Sequence, residues 1–176
     1  WSLSAGDLNA DGKTDVAVGA YAYSSTTGRA YIFYNDGSIP TTAATADVII
    51  TGEASSNFGM SMVTGDFNAD RKVDLAVGAD AYSTQTGRAY TFYNDGSIPT
   101  TAATADVIIT GETVSDLFGI SLVSGDFDTD GKTDLIVGAP GYSLSAGRIY
   151  LFYNGFSTNT ADFADVIIDG AASSGF

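Results

Sequence analysis

The segment Asp126 to Asp134 reads DFDTDGKTD and places carboxylates at its first, third, fifth and ninth positions. Four like charges in so short a segment repel one another unless a positive group sits between them. Oxygens at these positions, with a backbone carbonyl at the seventh, match the early ligands of a calcium loop. Two sister segments repeat the arrangement, DLNADGKTD at 7–15 and DFNADRKVD at 66–74. The candidate ligands are Asp7, Asn9, Asp11 and Asp15 with the Lys13 carbonyl in the first loop. The second offers Asp66, Asn68, Asp70 and Asp74 with the Lys72 carbonyl; the third, Asp126, Asp128, Asp130 and Asp134 with the Lys132 carbonyl. Asp and Asn also make turns unaided, through side-chain-to-backbone hydrogen bonds, so a loop of this kind has a purely structural reading too.

An EF-hand or dockerin loop needs a bidentate acid at position twelve, and here that position is Val18, Val77 and Val137. Each valine lies inside an apolar run, DVAVGA, DLAVGA or DLIVGA, so the loops lead into strands rather than helices. The three sites are expected to be unequal. The third carries four carboxylates against three in the others, and the second has Arg71 where the others have glycine. If position six needs a positive φ, a side chain there costs about 1–2 kcal/mol. The expected affinity order is third, first, second.

The elements that hold these loops come from a repeat. GRAYIFYNDGSIPTTAATADVIITG (28–52) recurs as GRAYTFYNDGSIPTTAATADVIITG (87–111), with Ile32 against Thr91 the one difference. A looser copy spans 147–170, and the acidic loops begin at Asp7, Asp66 and Asp126, 59 and 60 residues apart. Three units of about 1–57, 58–117 and 118–176 fill the 176 residues without a linker or second domain. Each unit reads as four short strands between turns, which in the middle copy are about 60–63, 75–77, 89–92 and 107–109. NDGSIPTTAATAD is polar and small, so it reads as a surface loop. The expected fold is all-β: three four-stranded antiparallel β-propeller blades, each with a calcium loop between its first and second strands. A β-solenoid is the runner-up.

Composition narrows the chemistry. The chain has no cysteine and no histidine, which removes disulfides, thiol nucleophiles and the usual proton shuttle. A net charge of -14 with a sequence pI near 4.1 argues against a nucleic-acid groove. Asp supplies 19 of the 21 acids, and ten of the 21 sit in the three loops, which suits a hard cation with oxygen ligands. No apolar run approaches the roughly 20 residues of a membrane-spanning helix. The opening at Trp1 fits a processed or excised piece.

Each unit resembles an FG-GAP repeat of the integrin α-subunit type. Phe58-Gly59 and Phe118-Gly119 supply the FG, while Gly78-Ala79-Asp80 and Gly138-Ala139-Pro140 supply the GAP. The first copy keeps Gly19-Ala20-Tyr21, and Phe176 falls where a further FG phenylalanine would stand. The resemblance implies about three Ca²⁺ per chain, one per blade, and a secreted or cell-surface setting. Three blades are fewer than an integrin-like propeller closes with. A homo-oligomer completing the ring, or a place in a longer repeat chain, is therefore expected.

The function expected first is non-catalytic adhesion or recognition of a protein or glycan ligand. A multivalent lectin is the second reading, since fungal lectins with integrin-like propellers have similar loops, and a calcium-dependent polysaccharide lyase fragment is the third. Glu53, Glu112 and Asp169 are the acids expected at the blade junctions, without a visible catalytic partner. Arg29, Arg88 and Arg148 either pair with a junction acid or point to a ligand, and the pairing is the expected use. Tyr21, Tyr23, Tyr82 and Tyr142 offer aromatic faces either to a sugar or to packing between blades.

Overall fold

The computed structural model describes residues 1–157 and 159–171; Phe176 lies outside them. The first sheet consists of β1 (Leu3–Gly6), β2 (Asp15–Ala20), β3 (Arg29–Phe33) and β4 (Val48–Thr51). The second is β5 (Ser61–Gly65), β6 (Asp74–Ala79), β7 (Arg88–Phe92) and β8 (Val107–Thr110). The third is β9 (Ser121–Gly125), β10 (Asp134–Ala139), β11 (Arg148–Phe152) and β12 (Val166–Asp169). Within each sheet the strands lie in chain order and every neighbouring pair is antiparallel. The register repeats as well: Val18, Val77 and Val137 stand opposite Leu3, Met62 and Leu122.

Sheets built this way are propeller blades, stacked through their first strands, with β5 between β1 and β9. The ring is not closed. Burial follows from that arrangement. β6, at the heart of the middle blade, is buried at all six residues, whereas β2 of the first blade alternates. Strands with a neighbouring blade on both faces read as continuous apolar runs, and those with one neighbour keep a wetter side.

The core lies between the blades. One cluster joins Leu8, Ile32 and Ile50 of the first blade to Phe58, Met62 and Tyr90 of the second. The other joins Phe67 and Ile109 to Phe118, Leu135 and Tyr150. The FG phenylalanines are the keystones: Phe58 meets the Tyr90 ring edge-on at 5.4 Å, and Phe118 meets Tyr150 at 5.2 Å. Their glycines, Gly59 and Gly119, both sit at φ +89° with backbone of the preceding blade against them, so a Cβ would clash. Ser2 and Ser61 then donate hydroxyl bonds to those glycines' carbonyls at 2.8 and 2.7 Å.

The strands are longer than their apolar runs because the acidic ninth loop position and the GA glycine join the ladders. The NDGSIPTTAATAD segment is more than a surface loop. It contains a single helical turn at Ala102–Thr104, and its Thr100 carbonyl accepts the Thr51 amide of the preceding blade at 2.9 Å. Its Ile98 and Ala102 are buried at that seam.

Candidate metal centre

Each acidic loop joins the first strand of its blade to the second, and its hydrogen bonds are the same in all three copies. The fifth-position amide donates to two oxygens at once. Asp11 N–H reaches Asp7 Oδ1 and Asn9 Oδ1, both at 3.0 Å, and Asp130 N–H reaches Asp126 Oδ1 at 3.1 Å and Asp128 Oδ1 at 3.0 Å. The sixth amide donates to the other oxygen of position one, at 2.9 Å in the first loop and 2.8 Å in the second. Turn-making and ligand-gathering are thus compatible, because each carboxylate oxygen has a second lone pair to offer. The turns aim the oxygens at positions one, three and five together.

In the third loop, Asp126, Asp128 and Asp130 each present a carboxylate oxygen within 4.8 Å of the others, and all three are exposed. Such a group of hard oxygens could hold a metal ion. Position nine plays a different part. Asp15, Asp74 and Asp134 are fully buried. Asp134 Oδ2 accepts the Phe127 amide at 2.8 Å and its Oδ1 accepts the Asn154 amide at 3.0 Å. Asp15 and Asp74 do the same for Leu8 with Asn35 and for Phe67 with Asn94. This residue ties the mouth of the loop to the turn after the third strand. Burial pushes the Asp74 carboxyl up to about 6 against the pull of those two amides, and the Asp70 and Asp66 charges add to the rise.

The seventh-position lysine lays its ammonium on the fifth-position carboxylate: Lys13 on Asp11 at 3.2 Å, Lys72 on Asp70 at 3.8 Å, Lys132 on Asp130 at 2.9 Å. The Lys13 backbone amide is the main reason Asp11 stays below the usual carboxylate range, and the Lys132 ammonium does the same for Asp130. These pairs are exposed and contribute little to stability. Position six does require the left-handed region: Gly12 lies at φ +86°, Gly131 at +85° and Arg71 at +70°. Arg71 is therefore a strained residue in the second loop. Position four is left-handed too, at Ala10, Ala69 and Thr129, which the one-letter pattern does not announce.

A second cluster of charge lies at each blade junction. Glu53, just past β4, accepts Arg88 Nη1 at 2.7 Å and the Tyr90 hydroxyl at 2.8 Å on the same oxygen. Glu112, just past β8, takes Arg148 Nη1 and the Tyr150 hydroxyl at the same two distances. Burial, followed by these carboxylates, raises both tyrosines above their ordinary range. The expected pairing of junction acid with GR-aromatic arginine holds at these two junctions.

Asp169 also pairs with Arg148, but inside its blade and not across a junction as Glu53 and Glu112 do. It pairs in register with Arg148 of its own blade, where Thr110 pairs with Arg88, and it accepts Arg148 Nε. The place of Glu53 and Glu112 is taken in the third unit by Ala171. Three of the tyrosine faces have a partner in the structure. Tyr23, Tyr82 and Tyr142 each carry the guanidinium of Arg29, Arg88 or Arg148 at 3.8, 3.6 and 3.7 Å from the ring centroid, so one face of each is covered within its own blade. The cross-blade asparagines were not foreseen. Asn154 Nδ2 donates to the Asp66 carbonyl at 3.0 Å, linking the third blade to the acidic loop of the second. The recurring FYN after the third strand was the available signal.

A model of the FG-GAP repeat matches residues 1–33, 58–92 and 118–152, more than half of the chain and once in every blade. The chain belongs to the FG-GAP repeat family. Among relatives of this FG-GAP chain, the phosphatidylinositol-glycan-specific phospholipase D of Bos taurus is 32% identical over 183 residues, covering 94% of the chain and 22% of that protein. Integrin alpha-7 of Homo sapiens is 35% identical over 147 residues, covering 79% of the chain and 12% of the integrin. Integrin alpha-PS2 of Drosophila melanogaster is 36% identical over 112 residues, 58% of the chain and 7% of the integrin. The FG-GAP array therefore spans about a fifth or less of each of these relatives. Among the described residues, no helix is long and apolar enough to cross a membrane.

Proposed function

We propose that this FG-GAP array is a non-catalytic, calcium-stabilised recognition module that works at the cell exterior on a protein or glycan ligand. The observation that carries the reading is the gathering of Asp126, Asp128 and Asp130 oxygens on a loop built identically three times. Calcium fits this donor set of carboxylate, amide and carbonyl oxygens. Positions one, three and five with the seventh carbonyl would face the ion, while the buried position nine braces the loop behind them. Three ions would bring the formal charge from -14 to -8, because each adds two positive charges. Short extracellular calcium loops often bind near the millimolar range, which suits an exterior setting.

The acids outside the loops support a non-catalytic role. Glu53 and Glu112 are each held by an arginine and a tyrosine, which is a structural use of a carboxylate rather than a poised acid or base. The same facts leave the lectin reading as a choice of ligand within recognition. The likeness to phosphatidylinositol-glycan-specific phospholipase D favours a second reading, in which the array accompanies an enzyme domain in a longer protein. A glycan array probed in calcium and in chelator tests the module. Calcium-dependent, saturable sugar binding assigns the lectin form, and binding to protein ligands alone assigns adhesion. Turnover of a polysaccharide or phospholipid by the purified chain contradicts the non-catalytic reading.

A further inference from the structure

The first and second acidic loops are each touched by an asparagine of the following blade, and the tie is firmer at the second seam. Asn154 commits every donor it has there. Its backbone amide donates to Asp134 Oδ1 at 3.0 Å and its Nδ2 to the Thr133 carbonyl at 3.3 Å, both at the end of the third loop. The same Nδ2 donates at 3.0 Å to the carbonyl of Asp66, which opens the second loop. A side-chain amide has two hydrogens, and each is given to a different loop.

The next two residues reinforce the bridge. Gly155 N–H donates to the Phe67 carbonyl at 3.2 Å, and the Phe156 ring meets the buried Phe67 ring at 6.3 Å. Asn154-Gly155-Phe156 thus clasps positions one and two of the second loop while its root is fixed to the third. The equivalent segment at the first seam is Asn94-Asp95-Gly96. Asn94 is fixed to Asp74 Oδ1 at 2.9 Å by its backbone amide, but its Nδ2 reaches the Asp7 carbonyl only at 3.5 Å. That length marks a weaker bond.

We propose that Asn154 is a positioning residue that couples the second and third loops, so that a cation in either raises the affinity of the other. The coupling rests on calcium as the ion proposed for these loops. Without an ion, the carboxylates of a loop repel one another and loosen it. An ion in the third loop steadies Thr133 and Asp134, the seats of Asn154, and so aims its amide at the Asp66 carbonyl. Asp66 also supplies the first carboxylate of the second loop, so less ordering is left to oppose an ion there. By linkage the effect is reciprocal. The first loop, joined through the longer Asn94 contact, is coupled less. The charge of a bound ion works the other way between loops, but salt screens it and it does not involve Asn154.

The sixth-position amides of Gly12, Arg71 and Gly131 each donate to the first carboxylate of their own loop, so NMR can follow the three loops separately. In a calcium titration of the full chain, Asp128→Ala disables the third loop. It should weaken calcium at the second loop about fivefold and at the first less than about twofold. Asn68→Ala should weaken the third loop by the same factor that Asp128→Ala weakens the second. With Asn154→Ala added, Asp128→Ala should no longer change the affinity of the second loop. A second loop indifferent to Asp128→Ala overturns the coupling, and so does a dependence that survives Asn154→Ala. If Asn154→Ala does not fold, Asp128→Ala alone decides, because equal losses at the first and second loops contradict a bridge through Asn154. Loops that never respond to calcium overturn the calcium reading together with the coupling, whereas three loops that bind independently overturn the coupling alone.

Discussion

The acidic loop and the blade junction solve the same problem in opposite ways. Both crowd charge into a small space. The junction contains its own answer: Glu53 or Glu112 sits between an arginine and a tyrosine, partly shielded from water. The loop gathers oxygens of one sign at its exposed rim and offers them a single lysine on the outer edge. A closed set of partners holds two blades together without any dissolved ion. An open set of oxygens leaves room for a cation from solution, which the proposed function assigns to calcium. The buried ninth-position aspartate joins the two regimes, since its stabilising bonds are internal while its loop faces outward.

This contrast predicts which lesions are blind to calcium. Phe118→Ala removes a fully buried ring from the seam between the second and third blades and should cost about 3–5 kcal/mol in denaturant melts, with or without calcium. Glu112→Ala strips Arg148 and Tyr150 of a shared acceptor and should cost about 2–3 kcal/mol, again equally in calcium and in chelator. A loss seen in calcium alone would erase the distinction between junction and loop. Asp128→Ala should do the reverse: near zero in chelator, and about 1.5 kcal/mol at calcium roughly ten times Kd, because one ion no longer favours the folded state. Arg71→Gly should raise stability by about 0.5–1 kcal/mol by relieving the left-handed side chain, and should tighten the second site. Unchanged calcium affinity in that variant would separate strain from binding.

Much of this was legible because the repeat states each rule three times. Four strands per unit, the GA glycine ending the second strand and the loop between first and second strands all follow from turn residues recurring in register. The junction glutamates were visible as ITGE, although their tyrosine partners lie 37 and 38 residues away and only folding joins them. Asp169 misled because it shares a motif neighbourhood with Glu53 and Glu112 but stands two residues earlier, inside the strand. The inward turn of Asp15, Asp74 and Asp134 was hidden for a different reason. A one-letter acid does not say whether water or a backbone amide will satisfy it. Arg71 carried the clearest local signal, a side chain where its sisters have glycine, and its φ of +70° bears that out.

Calorimetric titration of the full chain with calcium, set beside the same titration of Asp128→Ala, tests the central claim most directly. The account predicts three bound ions per chain, the third loop tightest and the second weakest, with the variant losing the tightest phase. Absence of binding up to about 10 mM calcium, well above the millimolar limit of known extracellular loops, would contradict it. So would a variant whose isotherm matches that of the unmodified chain.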